Sequence, residues 1–150
     1  MEVFNFFNSN SKDKKMELNL NSDKLEGVYK SYHENGQLEQ SGNYKNDKKD
    51  GLWKIYKDNG QIEQEVNWKE DKQSGLTKFY NENGQLELEE NLKEGKREGL
   101  LKWYNEYGQL LREGNYKDNK KEGLFKDYNE NGKLEKEILY RAGEIVNQFS

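Results

Sequence analysis

The chain repeats one phrase of 24 residues. The stretch from Gly51 to Ser74 recurs, in the same phase and with no insertion, from Gly27, Gly75, Gly99 and Gly123. A fixed period in this range marks a repeat architecture, in which each copy is one supersecondary unit that buries its apolar side chains against its neighbours. The repeats start at 27, 51, 75, 99 and 123, and residues 17–26 match the second half of a copy and read as a capping half-repeat. Residues 1–16 read as a leader, and residues 144–149 as a C-terminal cap strand within a repeat domain over 17–150.

Two turn signals punctuate every copy. Leu52-Trp53-Lys54-Ile55-Tyr56 is followed by Asn59-Gly60, and the pair returns as Asn35-Gly36, Asn83-Gly84 and Asn131-Gly132. Asn-Gly between runs rich in aromatic and branched residues is a strong hairpin signal. A second slot holds Asp47, Asp71, Gly95, Asn119 and Gly143, residue types that tolerate a left-handed backbone. Proline is absent, as strands that donate along both edges require. Helix, the rival reading for a Lys- and Glu-rich chain, is interrupted too often to become stable. The expectation is an all-β fold: tandem 24-residue β-hairpins in an elongated single twisted antiparallel sheet.

The turn decides which face is buried. A two-residue loop would set Tyr56 opposite Glu63; a three-residue loop with a glycine bulge sets it opposite Ile62. The bulged register gathers Leu52, Tyr56, Ile62, Val66 and Trp68 on one face and is the one expected. Its awkward residue is Lys54, with Lys30, Lys78, Lys102 and Lys126, whose stem would have to lie on the apolar face. The opposite face then carries Trp53, Ile55, Phe79, Trp103 and Phe125. One slot of that face varies between copies (Tyr29, Trp53, Thr77, Leu101, Phe125), so these residues read as a protein-binding surface on a uniform scaffold. The plainer alternative is packing against a neighbouring element or against Phe4, Phe6 and Phe7 of the leader. The leader itself reads either as a mobile segment or as a cover for the first edge strand.

Composition limits the chemistry. There is no cysteine and one histidine, so thiolate sites and multi-histidine metal sites are excluded, and no cofactor is expected. His33 is replaced by Lys57, Asn81, Asn105 and Asn129 in the other copies, and reads as a solvated turn flank. No Ser-His-Asp arrangement and no phosphate-cradling glycine loop is present. The ladder Glu39, Glu63, Glu87 and Glu135 has rungs about 10 Å apart, too far for one calcium ion to bridge. It reads as a solvated acidic face paired with lysines. The tyrosines at 32, 56, 80, 104 and 128 share that spacing and read as core rings packed between Leu and Ile of intervening strands. Leu, Ile, Val and Phe make up 30 of 150 residues, which implies a thin core on one sheet face.

The net charge of −4 and an acidic pI of about 5.3 argue against nucleic acid or an anionic membrane surface as partner. No segment suits a secretory signal or a membrane span, so a cytoplasmic location is expected. The charges are not evenly spread. The Asn-Gly ends carry Glu34, Asp58, Glu82, Glu106 and Glu130, whereas the other ends carry Lys48, Lys49, Lys72, Lys96, Arg97, Lys120 and Lys121. Ordinary solvation accounts for this; steering of a cationic partner onto Glu34, Glu82, Glu106 and Glu130 is the sharper reading.

Gly-Leu-x-Lys-x-Tyr-x-x-x-Gly-x-Leu followed by Tyr-Lys-x-Gly-Lys-x-x-Gly resembles the bacterial variant of the MORN repeat over residues 17–143. Gly51, Tyr56, Gly60, Ile62 and Trp68 carry the match, and Asp47, Asp71 and Asn119 depart from the usual glycine. The resemblance implies an antitoxin-like or immunity-like protein that neutralises a partner toxin; the residue counts make it non-enzymatic, and the acidic ends make a basic toxin the partner they would steer. The alternatives are a structural module that pairs through an edge strand such as Ile145-Val146, giving a homodimer, and, remotely, a hydrolase.

Overall fold

The computed structural model describes residues 2–7, 14–21 and 23–149, with side chains described from residue 23 onward. The chain is all-β and antiparallel, and within each of its two units each strand pairs with the next along the sequence apart from one short strand. Contacts divide it into two units, Met1–Lys72 and Gln73–Ser150. The first holds β1 (Glu2–Phe7), β2 (Lys14–Asn21), β3 (Lys24–Leu25), β4 (Gly27–Tyr32), β5 (Leu38–Lys45), β6 (Lys48–Tyr56) and β7 (Ile62–Lys69). β1 pairs with β2; the expected roles of Phe4, Phe6 and Phe7 fall outside the described side chains. The second holds β8 (Lys72–Tyr80), β9 (Leu86–Lys93), β10 (Lys96–Tyr104), β11 (Leu110–Lys117), β12 (Lys120–Tyr128), β13 (Leu134–Arg141) and β14 (Glu144–Phe149).

Both turns have a local cause. In the first, Gly60 N–H donates to the Lys57 carbonyl and Lys57 N–H to that of Gln61, each at 2.9 Å. This is the three-residue loop with a left-handed glycine (Gly60 φ 84°), and it sets Tyr56 opposite Ile62 as expected. The second turn is tighter: Glu70 and Asp71 both have positive φ, 50° and 65°. Asp71 repays this strain, because its N–H donates to the Lys49 carbonyl while its Oδ1 accepts the Lys49 N–H at 2.7 Å. Asp47 with Leu25 and Asn119 with Arg97 form the same reciprocal clamp. Gly95 and Gly143 keep only the backbone half.

The buried face is the reverse of the expected one. After Tyr56↔Ile62 the pairing jumps to Ile55↔Gln64, which leaves Glu63 as an extra bulged residue. That insertion moves Val66 and Trp68 to the other face from Ile62, because side chains alternate and one added residue exchanges the faces. Val66 therefore pairs with Trp53, and each is 1% exposed, whereas Leu52 is 43% exposed. Trp53 and Phe125 thus lie in the core and not on an outward binding surface, with Leu101 buried in the same slot. Ile55, Phe79 and Trp103 are half-buried on this same face. Lys54 lies opposite Glu65, on the polar face, and bonds it at 3.0 Å; Lys78 reaches Glu89 at 3.5 Å.

Each unit is a sheet with no helix over it among the described residues, so its core is built sideways, across strands. In the first unit the Trp53 ring lies on Gly42, where an added Cβ would fall 2.2 Å from the ring. Tyr29 and Tyr44 flank it at centroid distances of 5.4 and 5.2 Å, and Lys49 Nζ sits 4.0 Å from its centroid. The second unit repeats the device: Phe125 lies on Gly114, with Tyr116 and Tyr140 at 5.5 and 5.0 Å and Lys121 Nζ 5.0 Å away. Glu90 fills the glycine's slot opposite Leu101, and it is buried against Arg97 at 2.6 Å. A larger cross-strand partner thus accompanies a smaller neighbour. Glycine is required where an aromatic ring crosses the backbone.

Gly114→Ala is expected to destabilise the fold by about 1–3 kcal/mol through overpacking. Adding Phe125→Leu should recover part of the loss; urea unfolding of both variants measures it. An unchanged midpoint for Gly114→Ala would contradict the close approach.

Candidate functional site

A groove of mixed aromatic, apolar and charged lining lies in the second unit, at the first-turn ends of β9 to β12. Its cause is a break in the acidic ladder. Glu63 and Glu87 are bulged residues, skipped between Ile62 and Gln64 and between Leu86 and Leu88. The corresponding residue of β11, skipped between Leu110 and Arg112, is Leu111. Around Leu111 opens a cavity of about 510 Å³ whose walls include the rings of Trp103, Tyr104 and Tyr128. Glu87 stands at one side, and the Arg112–Asp127 pair at the other.

The register explains these neighbours. Trp103 pairs with Arg112 across β10 and β11, and Arg112 with Asp127 across β11 and β12, so the three form a row. Arg112 binds Asp127 through two bonds, Nε to Oδ1 and a terminal nitrogen to Oδ2, the latter at 2.8 Å. That fork holds the Asp127 carboxyl below its ordinary value and raises the guanidinium further. Tyr104 donates its hydroxyl to Glu89 at 3.0 Å and Tyr128 to Glu113 at 2.9 Å. Burial, then the Glu89 bond and charge, push the Tyr104 phenol up to about 12. The Tyr128 phenol is raised by burial and by Glu113. Both rings are therefore neutral and fixed in orientation at ordinary pH.

The sequence-predicted residues divide between locations. Trp103 reaches the groove; Trp53 and Phe125 are core, and Ile55 and Phe79 lie half-buried outside its lining. Glu34, Glu82, Glu106 and Glu130 are exposed in first-turn loops. The basic ends are partly turned inward: Lys49 and Lys121 cover rings, Arg97 lies 5.4 Å from the Tyr116 centroid, and burial lowers the Lys49 ammonium. The Glu ladder is not lysine-paired as expected; Glu39 accepts the Ser31 hydroxyl, and Glu87 has no ion pair or hydrogen bond among the described residues. His33 is half-buried and not a free flank, since its Nε2 donates to the Tyr56 carbonyl at 2.8 Å. Among the described residues no cluster of three His, Cys, Asp or Glu could hold a metal, and no helix is long and apolar enough to cross a membrane. Sequence reasoning missed the groove, although Leu111 interrupting the Glu ladder was its visible sign.

The profile of the MORN repeat variant matches residues 25–46, 49–70, 73–94, 97–118 and 121–142, in phase with the hairpins and two residues ahead of each repeat's first glycine. No curated protein matches the chain.

Asp127, with its pKa lowered, stabilises the fold at pH above the unfolded carboxylate value near 3.8, and that stability is lost as pH falls through the lower folded value. Arg112→Gln should cost about 0.5–1 kcal/mol at neutral pH, discounted because the Arg112 side chain is 41% exposed. Urea unfolding as a function of pH should show this difference closing below about pH 3.8; a difference constant with pH would contradict it.

Proposed function

Because the chain belongs to the MORN repeat variant family, with five copies over 110 of its 150 residues, we propose that it is a cytoplasmic antitoxin or immunity-like protein that neutralises a partner toxin by surface binding. Repeats of this kind form binding or scaffold modules, and identical hairpins present a given slot at intervals of about 10 Å. The observation that supports a basic partner is the exposed glutamate in successive first-turn loops: Glu82, Glu106 and Glu130 in the second unit, with Glu34 in the first. Carboxylates at loop tips attract a cationic protein over a Debye length and raise its association rate. Catalysis has no part in this reading.

A second reading, a scaffold assembling with its own copies, draws on β14. That strand pairs with β13 alone among the described strands, and Ile145 and Val146 are 60% and 51% exposed. Such an edge invites another strand.

Co-expression with the product of a neighbouring toxin gene should restore growth. The combined reversal of Glu34, Glu82, Glu106 and Glu130 to Lys should abolish that rescue while circular dichroism stays that of a sheet. Rescue unaffected by the reversal would end the acidic-edge account. Concentration-dependent oligomers dispersed by Val146→Lys, with no rescue, would favour the scaffold.

A further inference from the structure

We propose that the groove around Leu111 seats an arginine side chain of a partner polypeptide. The proposal rests on the reading of this chain as a protein-binding module, but not on the partner being a toxin. Three aromatic rings, Trp103, Tyr104 and Tyr128, line the cavity together with the apolar Leu111. Aromatic faces carry negative potential and attract a cation, Trp most of all. The Tyr104 and Tyr128 hydroxyls are committed to Glu89 and Glu113, so a carboxylate holds each ring by its hydroxyl.

The charges inside the groove select the occupant. Arg112 is a resident cation, but its bidentate bond to Asp127 closes both charges on each other. The remaining lining charge is Glu87, exposed and without an ion pair or hydrogen bond among the described residues. An acidic guest would meet that carboxylate, and a purely apolar one would leave it without a partner. A guanidinium answers both features, because its plane stacks on aromatic faces while its forked N–H groups meet a carboxylate. The cavity of about 510 Å³ falls within the ordinary range for small-group pockets.

The seat is also local to one repeat. In β9 and β13 the corresponding residues are Glu87 and Glu135, and both are exposed. Leu111 is half-buried and supplies an apolar surface where its counterparts place a charge. A ligand reading all hairpins equally would not need that exception. An arginine inserted at one place needs it, and would fix the register of a partner along the repeats.

The test uses the full chain, ¹⁵N-labelled, with acetyl-Gly-Arg-Gly-amide as probe and its citrulline counterpart as the neutral isostere. The Trp103 indole resonance, assigned from Trp103→Phe, should move saturably with the arginine peptide and about fivefold more weakly with the citrulline one. Glu87→Gln should weaken the arginine response similarly. Leu111→Lys, which sets a like charge in the apolar part of the lining, should abolish it with the fold intact. Equal responses to the two peptides would overturn the proposal, as would equal movement of the Trp53 and Trp68 indoles or full binding by Leu111→Lys. Rescue that fails while the arginine response persists would count against the toxin reading alone. Rescue that persists in a chain giving no arginine response would remove the seat alone.

Discussion

Among the described residues no helix packs over either unit's sheet, so each finds its core among its own side chains, by laying aromatic rings across the neighbouring strand. Trp53 on Gly42 and Phe125 on Gly114 are that solution in the two units. Burial of such large rings contributes heavily to the apolar stabilisation of a chain poor in Leu, Ile, Val and Phe. A side chain at either glycine would displace the ring. The long cations finish the arrangement: Lys49 and Lys121 lie over the rings, where stem contact and cation–π attraction offset part of their lost hydration.

The second constraint is the turn. Each hairpin end that carries two left-handed residues is tied to the preceding one by its N–H, and Asp47, Asp71 and Asn119 add a side-chain bond that glycine cannot make. The departure from the family's usual glycine therefore gives back in hydrogen bonding what it costs in backbone strain. Within each unit neighbouring hairpins are thereby held in one register, and slots 24 residues apart recur on alternate strands. Function can then be written by changing single slots, as Leu111 does.

Much of this was legible in the residues themselves. The period gave the architecture, Gly60 and its equivalents gave the bulged first turn, and the Tyr56–Ile62 pairing followed from it. The buried side was not legible by alternation, because the extra residue is Glu63 or Glu87, polar on either face and silent in a pattern of apolar spacing. Two signs nevertheless pointed the right way. Lys54 and its equivalents fitted badly on the supposed apolar face, and they turn out to oppose glutamates such as Glu65 and Glu89. The coincidence of glycine at 42 and 114 with the largest rings at 53 and 125 is a packing signature that a single sequence can display. The groove was hidden for the same reason, since its place depends on the bulge.

The side of the sheet that is dry is the claim from which the rest follows. A chain keeping Trp53 as its sole tryptophan, with Trp68 and Trp103 replaced by Phe, isolates the residue that decides it. Its fluorescence should be blue-shifted and resist acrylamide quenching until the protein unfolds, as a ring 1% exposed requires. Red-shifted emission, quenched in the folded protein as freely as in urea, would contradict the account and return Leu52 to the interior.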